Sequence, residues 1–146
     1  MLSHYFLGNH DVIDKYEKWP GVTNVDVADY RVSLKYDLIV SISTIEHVGW
    51  DEQAHDPTII IRAIRNLKSS LAPKGKLVLT LPVGYNMDLD RLLDGQNLGF
   101  SEKRCLKRIS KDNRWVEVPW EDIRCSRYGR PFPAANGLIV GIIVNA

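Results

Sequence analysis

The sequence has few cysteines and no strong excess of charge, and each of these features excludes a class of protein. Its 146 residues include only two cysteines, Cys105 and Cys125, which lie far apart and lack the spacing of metal ligands. We therefore expect two reduced thiols rather than a disulfide framework or a metal site. Lys and Arg number 19 against 18 Asp and Glu, so the formal net charge is only +1. A nucleic-acid partner bound through bulk positive potential is not expected.

The sequence also lacks the features of exported and membrane-spanning chains. Residues 1–7 have neither the cationic flank nor the long apolar stretch of a secretory signal. No segment has the roughly 20 consecutive apolar residues that cross a bilayer. We therefore expect a cytoplasmic protein without a membrane partner. No linker or low-complexity segment interrupts the sequence, which predicts one domain over residues 1–146.

The apolar residues that are present alternate between strand-like and helical patterns. Residues 36–43 and 76–81 are continuous apolar runs, typical of strands buried on both faces. Between them, Asp56 and Pro57 are typical of a helix start. Apolar residues then repeat at helical spacing: Ile60, Ala63, Ile64, Leu67 and Leu71. Further strands are predicted at 11–16, 22–27, 104–109, 115–118 and 138–144, and a short helix at 88–93. This order predicts an α/β fold with an open, doubly wound, mostly parallel sheet and the strand at 36–43 in its centre.

Two acids follow the first two predicted strands, at the edge where an α/β sheet binds its ligands. Asp14 ends the first strand, where a carboxylate can accept hydrogen bonds from a ribose diol, and Glu17 is an alternative. Asp26 ends the second strand and suits an exocyclic amine, because a carboxylate offers only acceptors. Asp29 is the alternative at that position. Each of these acids could instead cap a surface turn.

Polar residues also line the exit of the predicted strand at 36–43, at its end or just beyond it: Ser41, Ser43, Thr44, Glu46 and His47. His47 is a candidate general base, because histidine side chains titrate near neutral pH, and Glu46 could orient it or bind a cation. Alternatively, Glu46 and His47 only open a short helix and support its loop. Trp50 and Tyr85 each lie a few residues beyond a predicted central strand, and they are candidates for an acceptor pocket.

Two segments concentrate positive charge. The basic residues between 103 and 114 are interpreted as a solvated strand face. Residues 127–133 form a rigid cationic loop that suits either an anionic substrate group or a simple surface turn.

The segments 36–48 and 67–82 together resemble the second half of a class I S-adenosylmethionine-dependent methyltransferase. The resemblance implies a Rossmann-like fold and S-adenosylmethionine as the cofactor. It places the cofactor at Asp14, Asp26, Ser41 and Ser43. It also implies a small-molecule or glycan acceptor at Trp50 and Tyr85, with His47 and Glu46 as catalytic residues and no metal.

The chain departs from this family near residue 8. The family seats the methionine end of its cofactor on a Gly-rich turn after the first strand, and Gly8 is an isolated glycine. Residues 2–7 resemble the start of the first helix, so we expect a truncated fold that lacks its first strand. That strand would lie between those predicted at 11–16 and 36–43. Its absence predicts weak binding of S-adenosylmethionine, and unpaired strand edges that favour a homo-oligomer or a partner subunit.

Two alternatives to an active methyltransferase stay open. One is a non-catalytic methyltransferase-like subunit that binds a partner protein. The other is a different nucleotide- or sugar-nucleotide-binding α/β domain, for which an acid on a ribose would serve equally well.

Overall fold

The structure is a computed structural model that describes residues 10–31, 33–52, 56–95 and 98–146. The described strands are β1 (Val12–Asp14), β2 (Val22–Asn24), β3 (Tyr36–Ile42), β4 (Leu71–Pro82), β5 (Glu102–Arg108), β6 (Trp115–Glu117) and β7 (Gly137–Val144). The described α-helices are α1 (Pro57–Ser69) and α2 (Met87–Asp94), and two 3-10 helices span Ile45–His47 and Trp120–Asp122. The helix start predicted at residues 2–7, and Gly8 with it, lies outside the described residues.

The main sheet has five strands in the order β3-β4-β7-β5-β6. β3 and β4 pair in parallel, whereas β7 pairs antiparallel with both β4 and β5, and β5 pairs antiparallel with β6. Three strands therefore share one direction, and β7 and β6 run the other way. The predicted α/β class and open Rossmann-like sheet are confirmed, and the sheet is mixed. The apolar run at 138–144 marked a buried strand without indicating its direction, which depends on pairing.

β3 is an edge strand of the main sheet, although its apolar run predicted a central position. Among the described strands it pairs only with β4, because β1 and β2 form a separate parallel pair that no described strand joins to the main sheet. Leu38 and Ile42 are accordingly 44% and 54% exposed. A cavity of about 1590 Å³ separates β1 from β3. The described strands thus leave a gap between these two edges rather than pairing them directly.

The hydrophobic core lies on one face of the main sheet, against α1. Leu77, Leu79 and Leu81 of β4 are fully buried there. α1 begins as predicted, because the Asp56 side chain accepts a hydrogen bond of 2.9 Å from the Thr58 backbone N–H. Four residues of the predicted apolar stripe are buried in the same core: Ile60, Ala63, Ile64 and Leu67. The fifth, Leu71, was predicted in the helix but begins β4, because α1 ends at Ser69. α2 contacts α1 and adds Leu89 and Leu93 to that core.

The opposite face of the main sheet is apolar and only partly covered by the described residues. In β7, Ile139 and Ile143 are buried in the core, whereas Leu138, Val140 and Ile142 alternate with them and are partly exposed. Both described α-helices belong to the core side, so a doubly wound arrangement is not seen in this part of the chain. We call the partly covered side the open face; it includes Leu38, Val40, Ile42, Val78 and Ile142.

The described helices bear on membrane spanning, and the two cysteines bear on disulfide bonding. No helix among them is both long and apolar enough to cross a bilayer. Cys105 is buried and Cys125 is exposed, and both are free thiols.

Candidate functional site

Most of the predicted site residues meet at the cavity between β1 and β3. Asp14 and Asp26 line it from the two-stranded sheet. Ser41, Ser43 and His47 line it from β3 and the segment that follows. The fold thus brings strand ends that are distant in sequence to one cavity, which has a volume of about 1590 Å³.

Asp14 both caps a turn and keeps one oxygen available to a ligand. Its Oδ1 accepts hydrogen bonds from the backbone N–H groups of Glu17 and Tyr16, both at 2.8 Å. These two bonds lower the pKa of Asp14, because they favour the charged carboxylate. Among the described residues, no hydrogen bond reaches Oδ2. The turn cap and the predicted ribose contact are therefore compatible, since each uses a different oxygen.

Asp26 is already engaged by the protein. Its Oδ1 accepts from the Ala28 backbone N–H at 2.8 Å, and its Oδ2 lies 2.8 Å from Nζ of Lys15. Partial burial is the largest single effect and opposes the charge of Asp26. The bonds from Lys15 and Ala28, together with the charges of Lys15 and Arg62, outweigh it, so the pKa of Asp26 is lowered. Lys15 also pairs with Glu52, and these two carboxylates raise the pKa of Lys15. A ligand amine at Asp26 would therefore have to displace or share Lys15.

The alternative acid of this segment points elsewhere. The Asp29 side chain is 74% exposed and lies 3.7 Å from Arg62 of α1. It is not among the residues that line the cavity in the described part of the chain.

A sharp turn at Ser43 ends β3 and redirects the chain towards the cavity. Ser43 has a positive φ of 46°, a conformation that costs about 1 kcal/mol for a residue other than glycine. Its backbone N–H is held by the carbonyl oxygen and Oγ1 of Thr80, at 3.1 and 2.9 Å. The next residues form the 3-10 helix Ile45–His47, which presents His47 to the cavity.

His47 belongs to a hydrogen-bonded cluster with Asp51 and Tyr85. Its Nδ1 lies 2.6 Å from Oδ2 of Asp51. The Tyr85 hydroxyl donates to both Asp51 oxygens, at 3.0 and 3.1 Å, and the Tyr85 ring packs edge-on against His47 at 4.8 Å. Because a carboxylate only accepts, Nδ1 carries the proton of a neutral His47, and Nε2 is left basic. Partial burial and the bond to Asp51 raise the pKa of Tyr85 to about 12, so its hydroxyl stays a donor.

The Glu46 side chain is buried, with only 2% of the residue exposed, and it is not among the described residues that line the cavity. Its Oε1 lies 3.8 Å from Nε2 of His47, and its Oε2 has no hydrogen-bond partner in the described part of the chain. Burial raises the pKa of Glu46 to about 7, because a charged carboxylate is poorly solvated there. Buried polar groups without partners are uncommon, and strongly shifted carboxyls cluster at functional sites.

Asp51 and Tyr128 complete this cluster and were not predicted. Asp51 stands four residues after His47, and this spacing is the only signal for it in the sequence. Tyr128 packs edge-on against Tyr85 with ring centroids 5.0 Å apart, a contact made only by the fold. Trp50 and Tyr85 do not line the cavity in the described part of the chain, so their predicted acceptor role stays a prediction.

The described residues fit the adenosyl half of the predicted cofactor better than its methionine half. The cavity exceeds the roughly 300–1,000 Å³ of ordinary small-ligand pockets, and Asp14 offers a carboxylate oxygen to a ribose. Among the described lining residues there is no glycine, so the close backbone approach that seats an amino-acid group is missing there. No three His, Cys, Asp or Glu side chains of the described ranges gather closely enough to hold a metal ion.

Comparison with solved structures finds methyltransferases. The N-methyltransferase NodS from Bradyrhizobium japonicum WM9, in complex with S-adenosyl-L-homocysteine, has a TM-score of 0.52 at 15% identity, over 87% of this chain and 56% of NodS. An S-adenosylmethionine-dependent methyltransferase from Clostridium acetobutylicum ATCC 824 has a TM-score of 0.43 at 11% identity, over 88% of this chain and 66% of that one. No protein-family model and no curated protein matches the sequence. The likeness to NodS shows a methyltransferase-like fold, in a chain that spans 56% of the NodS length.

Proposed function

We propose that this chain, given its methyltransferase-like fold, is an S-adenosylmethionine-dependent methyltransferase that acts on a small molecule or a glycan intermediate. The observation that carries the proposal is the meeting of Asp14 and His47 at one cavity. An acid suited to a ribose and an oriented base are the two groups that this chemistry requires of the chain.

Methyl transfer is a displacement that depends mainly on in-line positioning, so it needs few catalytic side chains. When bound, S-adenosylmethionine would supply the methyl group. Asp14 would hold its ribose, with Asp26, Ser41 and Ser43 lining the same cavity.

The base in this proposal is Nε2 of His47. Asp51 fixes the neutral ring with its proton on Nδ1, so Nε2 can take the proton that an acceptor hydroxyl or amine loses. Tyr85 holds Asp51 in place through its hydroxyl. Glu46 lies 3.8 Å from Nε2, and its negative charge, present above about pH 7, would stabilise the protonated ring.

A non-catalytic methyltransferase-like subunit that binds a partner protein is the second candidate. It is favoured by the absence of glycine from the described lining of the cavity and by the edge of β3 that no described strand pairs. A third candidate, another nucleotide-binding α/β domain, uses Asp14 in the same way and differs only in the rest of its ligand.

Calorimetric titration with S-adenosyl-L-homocysteine and with adenosine tests the proposal. We expect weak, saturable binding of both, with a loss of about 1–3 kcal/mol in Asp14→Ala and in Asp26→Ala, the usual cost of removing a partner from a buried polar group. Asp37→Ala is the matched control, because Asp37 is an exposed acid of β3 outside the cavity lining.

The outcomes separate the three candidates. Unchanged affinity in both cavity variants would remove the site assignment. Binding of neither compound by the wild type would favour the non-catalytic subunit. Tight binding of a different nucleotide, with no preference for the adenosyl compounds, would favour the third candidate.

A further inference from the structure

A second cavity, of about 620 Å³, lies between β5 and the loop that leads into β7. Four of the described residues that line it are basic and none is acidic. The lining consists of Lys107, Arg108, Arg127, Arg130, Cys125, Ser126, Pro131 and Asn136. None of its four basic residues takes part in the ion pairs of the described residues. We call this lining the cationic pocket.

Arg108 is fixed in this pocket, and no carboxylate in the described ranges of the chain forms an ion pair with it. Its guanidinium donates to the backbone carbonyls of Ser110, Pro133 and Lys111, at 3.0, 2.6 and 2.9 Å. It also lies over the Phe132 ring, 5.4 Å from the centroid. These neutral partners hold the side chain in place but leave its positive charge uncompensated, so the potential of the pocket stays positive.

Asn136 holds the loop that carries the other two arginines. Its side chain, only 4% exposed, donates to the carbonyls of Arg127, Phe132 and Ala134, at 3.2, 2.8 and 3.0 Å. Its Oδ1 accepts from the Phe132 backbone N–H at 3.1 Å. The backbones of Arg127 and Arg130 pair through an isolated antiparallel bridge, so the loop backbone that carries both exposed side chains is set before any ligand arrives.

The same loop docks beside the His47 cluster. A Cβ added at Gly84, which has a φ of +82°, would lie 2.2 Å from the Ser126 carbonyl oxygen, so the two backbones approach closely. Tyr128 reaches the ring of Tyr85 from this loop. A chain of ring contacts therefore runs from the loop of the cationic pocket to the candidate site: Tyr128 contacts Tyr85, and Tyr85 contacts His47.

We propose that the cationic pocket binds the phosphate group of a small-molecule ligand. Guanidinium groups bind phosphate oxygens through paired N–H donors, and several uncompensated cations suit a dianion. Arg108, held by backbone carbonyls, supplies part of that charge with little loss of freedom on binding. Arg127 and Arg130 supply the rest from a loop whose backbone is already in place. This binding does not depend on methyl transfer, so it stands or falls separately from the proposed function.

Titration of the full ¹⁵N-labelled chain with inorganic phosphate, at constant ionic strength, tests the proposal. We expect saturable shifts of the backbone amides of Ser126, Gly129 and Asn136. The variant R127Q/R130Q is expected to weaken phosphate binding by about tenfold or more. The control R65Q/K68Q removes the same charge from the exposed side of α1 and is expected to stay within about twofold of the wild type.

Further arms keep the test decisive. R127K/R130K retains the charge but loses the paired N–H donors, so it is expected to bind phosphate more tightly than R127Q/R130Q and more weakly than the wild type. If R127Q/R130Q does not fold, the comparison with the wild type carries the test. Shifts that never saturate, or that saturate away from the pocket, would overturn the proposal. Equal weakening by the control pair would do the same, and acetate binding as tight as phosphate binding would overturn the choice of phosphate.

Discussion

Glu46 carries a carboxyl group that is buried and lacks a partner for Oε2 among the described residues. Burial raises its pKa from 4.5 to about 7. Between these pH values the folded chain holds a proton that the unfolded chain has released. The free energy of unfolding therefore falls as the pH rises through this window, and the contribution is lost above it.

We predict that Glu46→Gln removes this pH dependence, because the amide does not ionise. Above about pH 7 the variant should be more stable than the wild type by about 1–3 kcal/mol, since each pKa unit corresponds to about 1.4 kcal/mol. Denaturant unfolding between about pH 5 and pH 8 measures the difference. The exposed Glu121→Gln serves as the control and should follow the wild type. If the free energy of unfolding depends on pH in the same way in the wild type and in Glu46→Gln, the assignment of Glu46 as a buried carboxyl with a raised pKa is contradicted.

The sequence located single residues of the site better than it located their partners. Asp14, Asp26, Ser41, Ser43 and His47 were predicted at the ligand-binding edge of the sheet from their position at or just beyond strand ends, and all five line the cavity. The bond between Tyr85 and Asp51 joins residues 34 apart, and Lys15 on Asp26 closes a contact between two strand ends. Such contacts depend on tertiary packing, which no local pattern encodes. The ion pair between Lys15 and Asp26 could therefore not be predicted from the sequence.

At the scale of elements, α1 combines local and packing signals that agree. Asp56 and Pro57 fix its start, and its stripe has a period of 3.6 residues. Its start and its buried side therefore followed from the sequence, whereas its end did not, because Leu71, the last residue of the predicted stripe, begins β4. β3 is the opposite case, because an apolar run predicts burial but not which neighbours supply it. Its edge position and the exposure of Leu38 and Ile42 follow from the strand order.

We predict that Ile64→Ala destabilises the chain by about 2–5 kcal/mol, through lost apolar burial and the cavity left behind. Ile61→Ala removes the same atoms from the same helix, but Ile61 is 37% exposed where Ile64 is 6% exposed. We expect the Ile61 variant to lose clearly less, about 1 kcal/mol or below. Chemical denaturation of both variants provides the measurement. Equal losses would show that the helix is rotated from the observed orientation.

At the scale of the whole molecule, the described chain has one well-packed core and one partly covered apolar face. Core residues of β4, β7, α1 and α2 pack together on one side. On the other side the open face meets the unpaired edge of β3, with Leu38 and Ile42 exposed. An exposed strand edge beside apolar surface is a template for association with another chain. The large cavity adjoins this edge, so association there would also change the candidate cofactor site.

We therefore predict that the chain self-associates through the open face and binds S-adenosylmethionine weakly. Sedimentation velocity should show dimers or larger species, and Leu38→Lys/Ile42→Lys should shift them to monomer, because two charges on the edge oppose pairing. Ile109→Lys/Val116→Lys is the matched control. Ile109 and Val116 are also exposed, by 47% and 39%, but they lie in or near β6, at the opposite edge of the main sheet from β3. It should associate like the wild type. A wild type that stays monomeric at about 100 μM, well above the micromolar range of many specific interfaces, would contradict the first half of the prediction. Micromolar or tighter binding of S-adenosylmethionine by that monomer would contradict the second, because it would require a seat for the methionine group that the described cavity lining lacks.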